Sequence, residues 1–383
     1  MDYINNAVEQ FRTLLEEQVA RTEKMKNAPL PKDFGTMDKI VIGLCDGDGI
    51  GPMIMKEARR VLEALIEAEV AAGRLAPGRI ELREIKGLTI ENRMALGQAV
   101  PKDTLAAIKE CDVLLKGPMT TPKGGTLESA NVTLRRELDL YANTRPVAVP
   151  EEGIDWMFFR ENTEGEYVLG SRGVEIPGTL AVDFKVTTEL GTRRIARAAF
   201  EYAKNNGKTS VSIVTKANIM KKTDGSFSEI CHEIAKDYPG IVADDWYIDI
   251  MTANLVNRSI RNQFQVFLMP NLYGDIITDE AAEIQGGVGT AGSANIGDQY
   301  AMFEAIHGSA PRMIEDGLAD YANPSSILKA TEMMLRHICL TDAADRLAKA
   351  LYACTEVEKK VVVTGFADGN TCKEFGDYLI EKL

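Results

Sequence analysis

The chain has 383 residues, 45% of them hydrophobic and 26% charged, enough apolar material for a sizeable core in one large or two ordinary domains. Its 57 acidic against 44 basic residues give a net charge of −13, which argues against nucleic acid and anionic membranes as principal partners. A polyanionic ligand would therefore need a local basic pocket.

The start, Met1-Asp2-Tyr3-Ile4-Asn5-Asn6, has neither the basic opening nor the apolar core of a signal peptide. Glu9, Glu16 and Glu17 are at odds with an acid-poor transit peptide, so the expected compartment is the cytoplasm. Ile4, Val8, Phe11, Leu15 and Val19 share one helical face. Pro29, Pro31 and Gly35 close this stretch, and residues 1–37 read as an N-terminal helical extension that packs on its own subunit or a neighbour. Ile40 to Cys45 is a short apolar strand. Asp46-Gly47-Asp48-Gly49-Ile50-Gly51 follows, and Pro52 suits the first position of a helix running to about residue 72. The glycine spacing is not GxGxxG, and no clear strand ends in an acid about 20 residues on, so this is a tight strand-to-helix turn, not a dinucleotide fingerprint.

A strand near 79–85, a helix near 102–109 and a strand at 112–116 continue an alternating α/β pattern. A loop from Lys116 to Gly125 precedes a helix opening at Ser129. Further strands are predicted at 155–160, 180–187, 209–215, 242–248 and 264–269, with helices at 189–205, 226–237, 249–260 and 276–284. Gly286 to Gly292 is a glycine-rich break, and helices over 325–338 and 342–358 close the chain. No apolar run approaches the ~20 residues of a membrane span.

Three arginines carry the clearest chemical signal. Arg135 and Arg145 lie near Ser129 and Asn131, and Arg160 ends the apolar run from Trp156 to Phe159. A guanidinium grips a carboxylate with two parallel bonds, so this grouping suits a small, multiply carboxylated ligand. Free N–H groups at the start of the Ser129 helix would favour the same anion. The competing reading is an amphipathic helix with solvated charges. Asp275 and Asp279 are four apart and share a helix face, where like charges repel unless a cation intervenes. With Asp249 upstream, the all-oxygen set suits Mg²⁺ or Mn²⁺, against the alternative of an ordinary acidic face. Tyr167 and Lys216 are candidate proton carriers, although each alone reads as a surface residue. Among arginines and a divalent cation, Lys216 would be pushed towards its neutral, basic form. Glu304 to Pro311, leading to Asn323, offers backbone N–H groups for adenosine or phosphate, while His307 alone reads as structural. The six cysteines form no CxxC and read as reduced thiols, and the three histidines are too dispersed for a metal site.

In this order the motifs resemble the isocitrate and isopropylmalate dehydrogenase family of metal-dependent β-decarboxylating dehydrogenases, from about Ile40 to the C-terminus. They are Gly-Asp-Gly-Ile-Gly-Pro, Lys-Gly-Pro-Met-Thr-Thr-Pro, Ser-Ala-Asn with Arg135, Arg-Glu-Asn-Thr-Glu-Gly-Glu-Tyr, Lys-Ala-Asn-Ile-Met, Gly-Asp-Ile-Ile-Thr-Asp and His-Gly-Ser-Ala-Pro. The resemblance implies a non-Rossmann α/β fold. A large domain, residues 38–140 and 286–383, lies on the cofactor side. A small domain, residues 141–285, carries a clasp-like segment near 165–189 and the interface of a homodimer. The active site is then shared, with Lys216 and Asp249 coming from the second subunit.

The resemblance also implies roles. Arg135, Arg145 and Arg160 hold substrate carboxylates. Asp249, Asp275 and Asp279 bind Mg²⁺ or Mn²⁺. Lys216 assists removal of the hydroxyl proton and Tyr167 protonates the product. Thr121 and Asn218 sit near the nicotinamide, and Glu304, His307, Gly308 and Asn323 line the cofactor cleft. Ser129 and Asn131 match the pair that bonds a third carboxylate, and a polar pair would disfavour an isopropyl group. The expected substrate is isocitrate, with homoisocitrate and 3-isopropylmalate as alternatives, and a non-catalytic regulatory subunit as the alternative of another class. NAD is favoured over NADP. Arg312 stands where NAD-dependent relatives carry Asp and is placed to take a 2′-phosphate, yet the tyrosine that accompanies such a cation is Met313 here. The C-terminal Thr364-Gly-Phe-Ala-Asp-Gly369-Asn resembles NAD-type relatives.

Overall fold

The computed structural model describes residues 2–122, 127–170, 172–287 and 291–383. Lys123, Gly124 and Gly125 of the expected loop, Ser171 of the clasp-like segment, and Val288, Gly289 and Thr290 of the glycine-rich break lie outside the described residues.

The elements run α1 (Asp2–Lys26), β1 (Ile40–Cys45), α2 (Gly51–Ala71), β2 (Ile80–Glu84), α3 (Ile90–Leu96), α4 (Lys102–Lys109), β3 (Val113–Lys116) and α5 (Ala130–Glu137). Next come β4 (Ala142–Val149), β5 (Ile154–Glu161), β6 (Val174–Ile176), β7 (Leu180–Val182), α6 (Glu189–Asn205), β8 (Ser210–Thr215), α7 (Thr223–Ala235), β9 (Val242–Tyr247) and α8 (Ile248–Val256). The chain ends with β10 (Val266–Met269), α9 (Asn271–Gln285), β11 (Gly292–Ile296), β12 (Ala301–Ala305), α10 (Pro311–Glu315), α11 (Ser325–His337), α12 (Thr341–Tyr352) and α13 (Cys372–Ile380).

Two compact units divide these elements. One comprises Pro31–Leu140 and Gln285–Leu383. Its strands run in the order β2-β1-β3-β12-β11, parallel except for β11 against β12. Val113 and Leu115 of β3 point into one apolar cluster, with Ile54, Leu62, Leu335 and Phe375. Leu114 points into a second, with Ile108, Leu134 and Met302. Both faces of the strands are covered, which is why β1 and β3 read as continuous apolar runs.

The other unit comprises Met1–Leu30 and Tyr141–Ile284. Its strands run β4-β5-β10-β8-β9, with β4 antiparallel to β5 and the rest parallel. Phe158 and Phe267, register partners on β5 and β10, stack with centroids 4.4 Å apart beside Trp156. β6 and β7 form a small separate hairpin, and Gly165 bridges Val186.

Several expectations needed revision. The strand predicted over 180–187 is only Leu180–Val182, because its pairing partner β6 has three residues. α9 begins at Asn271, five residues earlier than predicted, and α8 stops at Val256. The helix predicted over 342–358 ends as α12 at Tyr352 and continues as a π-type turn over Ala353–Glu358. Within this chain the predicted face of α1 makes contact chiefly through Phe11. Ile4, Val8, Leu15 and Val19 are exposed, whereas Leu14 is buried against Val168 and Leu169, and Phe11 stacks on Phe184 at 5.0 Å. Arg21 reaches Glu164 at 2.6 Å. Among the described residues no helix is long and apolar enough to cross a membrane.

Candidate active site

In the unit containing α9, two guanidinium groups meet one helix. Arg160 is the penultimate residue of β5, beside Met269 of β10, and is 1% exposed. Its Nε and Nη2 donate to Asn271 Oδ1 at 2.9 and 2.7 Å, and its Nη1 donates to Asp275 Oδ1 at 2.5 Å. Gly274 makes this approach feasible: a Cβ there would lie 2.5 Å from Arg160 Cγ. Arg145, on the adjacent antiparallel strand β4, donates from Nη1 to Thr278 Oγ1 at 2.7 Å and to Asp279 Oδ1 at 2.8 Å. The Tyr167 hydroxyl donates to Asp275 Oδ2 at 2.6 Å. Helical spacing thus puts Asn271, Asp275, Thr278 and Asp279 on one face of α9. The arginines are buried, but the side chains of Asp275 and Asp279 are 42% and 61% exposed. The Arg145 Nε is buried and has no hydrogen-bond partner.

Lys216 follows β8, and its Nζ pairs with Asp249 Oδ1 at 2.5 Å at the start of α8. That bond holds the Asp249 carboxyl below its usual value. Asn218 is exposed. The three aspartates are therefore not drawn together within one chain. Among the described residues no group of three or more His, Cys, Asp or Glu side chains is placed to hold a metal ion. The Asp275 and Asp279 oxygens still fit a hard cation in chemistry and accessibility, with water, substrate or a further carboxylate to complete the oxygen set.

In the other unit, Ser129 caps α5 without a side-chain capping bond. The Asn131 Oδ1 is buried and unpaired. Arg135 donates from Nη2 to Glu304 Oε1 at 3.1 Å, and its buried Nε has no hydrogen-bond partner. Glu304 and Lys116 are register partners on β12 and β3, with Lys116 Nζ 2.8 Å from Glu304 Oε2. Asn295 Nδ2 donates to Glu304 at 2.8 Å. Burial raises the proton affinity of Glu304, but Lys116 and Arg135 outweigh it and hold the carboxyl at about 2. His307 Nδ1 lies 3.0 Å from the Gly308 carbonyl, its Nε2 is buried and unpaired, and burial keeps the ring below its usual pKa. Thr121, Gly308 and Arg312 are exposed. Asn323 accepts from the Ser325 N–H at 2.9 Å and donates to the Val363 carbonyl at 3.4 Å.

The model of the isocitrate/isopropylmalate dehydrogenase family matches residues 41–379.

The chain belongs to that family.

Among its dehydrogenase relatives are an NADP-type isocitrate dehydrogenase of Rickettsia prowazekii, 40% identical over 318 residues, and the mitochondrial NAD-type isocitrate dehydrogenase subunit 2 of Schizosaccharomyces pombe, 37% identical over 343 residues. These matches take in 81% and 88% of this chain, and 62% and 86% of the relatives' own lengths. A homoisocitrate dehydrogenase of Methanocaldococcus jannaschii is 35% identical over 357 residues, covering 88% of this chain and 96% of the relative. The crystal structure of isocitrate dehydrogenase from Methylococcus capsulatus superposes with a TM-score of 0.77 at 35% identity, covering 90% of this chain and 99% of that one.

Sequence reasoning missed several residues of the polar framework around these side chains. Asn271 and Thr278 anchor the two arginines, and no local pattern marks them. Asp48 was read only as part of a turn. It is buried and accepts from Arg93 Nη2 at 2.9 Å, Thr120 N at 2.8 Å and Ile90 N at 2.7 Å. Gly47 and Gly49, both at positive φ, let this turn wedge against the Pro118 and Ser309 carbonyls, where a Cβ would come within 2.3 and 2.0 Å. A charged residue between two glycines was the available signal. A pocket of about 290 Å³ beside this turn, lined by Asp46, Met55, Lys56, Arg59 and Glu84, contains none of the expected site residues.

Proposed function

We propose that this chain oxidises and decarboxylates isocitrate to 2-oxoglutarate and CO₂, with NAD favoured over NADP, Mg²⁺ or Mn²⁺ as the cation, and a homodimer as the working unit. The supporting observation is the pairing of two buried guanidinium groups with two solvent-reaching carboxylates on α9. Such pairs are suited to exchange. An incoming polycarboxylate takes over the arginines while a divalent cation takes over the aspartates, and neither buried charge is left uncompensated.

On this reading Arg135, Arg145 and Arg160 orient the substrate. Asp249, from a second copy, joins Asp275 and Asp279 around the cation, which when bound polarises the carbinol oxygen and its neighbouring carboxylate. Thr121, Asn218, Glu304, His307, Gly308 and Asn323 would hold NAD, which would supply the hydride acceptor. Lys216 takes the hydroxyl proton, its amine released for that task when Asp249 turns to the cation. Tyr167, with its hydroxyl already hydrogen-bonded beside the arginines, supplies the proton that completes the product. The half-buried Asn131 amide turns its NH₂ to the third carboxylate beside Ser129, and an isopropyl group there would leave it unpaired.

The homoisocitrate reading draws on the relative from M. jannaschii, whose match spans nearly its whole length. Steady-state kinetics on isocitrate, homoisocitrate and 3-isopropylmalate, each with NAD and with NADP, test the assignment. Isocitrate is expected to exceed homoisocitrate in kcat/KM by about 10–200-fold, the worth of one methylene. A preference for 3-isopropylmalate overturns the roles of Ser129 and Asn131, and no turnover by the purified chain points to a regulatory subunit.

A further inference from the structure

Asp224 is fully buried and has no part in the chemistry above. It sits in the first turn of α7, where the helix dipole favours a carboxylate. Its Oδ2 accepts the backbone N–H of Lys216 at 2.7 Å. It therefore grips the peptide of the proposed proton carrier, whose ammonium pairs elsewhere, with Asp249. Its Oδ1 lies 2.6 Å from Lys185 Nζ and accepts from the Thr223 hydroxyl at 3.3 Å. Lys185 is 6% exposed, and its Nζ stands 3.4 Å from Glu166 Oε1 and 4.3 Å from the centroid of the Tyr273 ring.

Glu166 immediately precedes Tyr167, and Tyr273 lies two residues before Asp275 on α9. One buried ion pair thus touches the three segments that carry Lys216, Tyr167 and Asp275. Stability alone gives little reason for it, since apolar residues of similar volume commonly serve a core as well or better. The residues after β8 form no strand or helix until Thr223, so the Lys216 peptide needs a tether. A lysine side chain has many rotamers, and its reach is defined only if its backbone is fixed.

We propose that Asp224, braced by Lys185, is a positioning residue that fixes the Lys216 backbone so that its amine meets the substrate hydroxyl. This rests on Lys216 being the proton carrier for isocitrate. Removing Asp224 alone strands a buried lysine and invites unfolding, so the test compares two double variants, Lys185→Met/Asp224→Ala and Lys185→Met/Asp224→Asn. Both delete the ion pair. Only the asparagine keeps an oxygen to accept the Lys216 N–H.

The alanine double variant is expected to lose about 100-fold in kcat, the scale of a small misplacement at a reacting group. Its KM for isocitrate should hold, and the isotope effect on kcat/KM with isocitrate deuterated at the carbinol carbon should rise. The asparagine double variant should recover most of the kcat. Equal kcat in the two variants, or a loss confined to KM, overturns the proposal. Wild type that does not turn over isocitrate overturns the activity reading instead.

Discussion

Two ion-pair groups in this molecule look alike on paper and differ in access. Around Glu304 the carboxylate and the lysine are buried, the arginine side chain is 12% exposed, and the carboxyl is held at about 2. On α9 the guanidinium groups are buried but the aspartates reach water. In the first group the carboxylate is sealed from water and ties β3, β12 and α5 together. The second can trade partners without stranding a charge. What separates a structural ion pair from an exchangeable one is therefore the exposure of the carboxylate, not the residue types.

The contrast can be broken from either side. The largest effect is expected on the exchangeable side: Tyr167→Phe should lower kcat by about 10²–10⁴, the usual worth of a positioned acid, with the thermal midpoint unchanged. A fall in the midpoint matching the loss of activity would make Tyr167 structural. On the closed side, Glu304→Gln should cost about 3–5 kcal/mol in urea unfolding, because it leaves buried cations uncompensated.

The pH dependence sharpens this. The Glu304 carboxyl is held at about 2 in the fold against 4.5 for a free glutamate. Its contribution is then complete above about pH 4.5 and is lost as pH falls towards 2. The stability gap between wild type and Glu304→Gln should close over that window, and a constant gap would contradict the pairing. Gly274→Ala should push Arg160 aside, raising the KM for isocitrate and costing about 1–3 kcal/mol, the usual range for overpacking. The smallest effect belongs to Arg312→Ala. This exposed residue should change stability by no more than about 0.5 kcal/mol. The kcat/KM ratio for NAD over NADP should rise if Arg312 takes a 2′-phosphate, and an unchanged ratio removes it from cofactor choice.

Much of the fold was legible where local chemistry repeats. β1 announced itself as an apolar run, and β3, β8, α2, α6 and α11 fell within a residue or two of their expected ranges. β4, β11 and β12 were missed because each breaks the pattern of a strand: Ala142–Val149 carries Asn, Arg and Pro, Gly292–Ile296 is mostly small residues, and Ala301–Ala305 is only five residues with two alanines and a glutamate. Their neighbours make them strands. α1 shows the opposite failure. Its apolar stripe is real, but Leu14, one position off that stripe, is what Val168 and Leu169 bury.

By itself the sequence determined which chemical groups are present and in what order, because motif spacing and helical period are properties of neighbours along the chain. It could place Asp275 and Asp279 on one helix face, four residues apart. Only the tertiary structure decided that Arg160 meets Asp275 and Arg145 meets Asp279, partners 115 and 134 residues apart. The same packing set which of those charges keep contact with water. Burial and long-range pairing depend on how distant segments come together, and no local pattern encodes them.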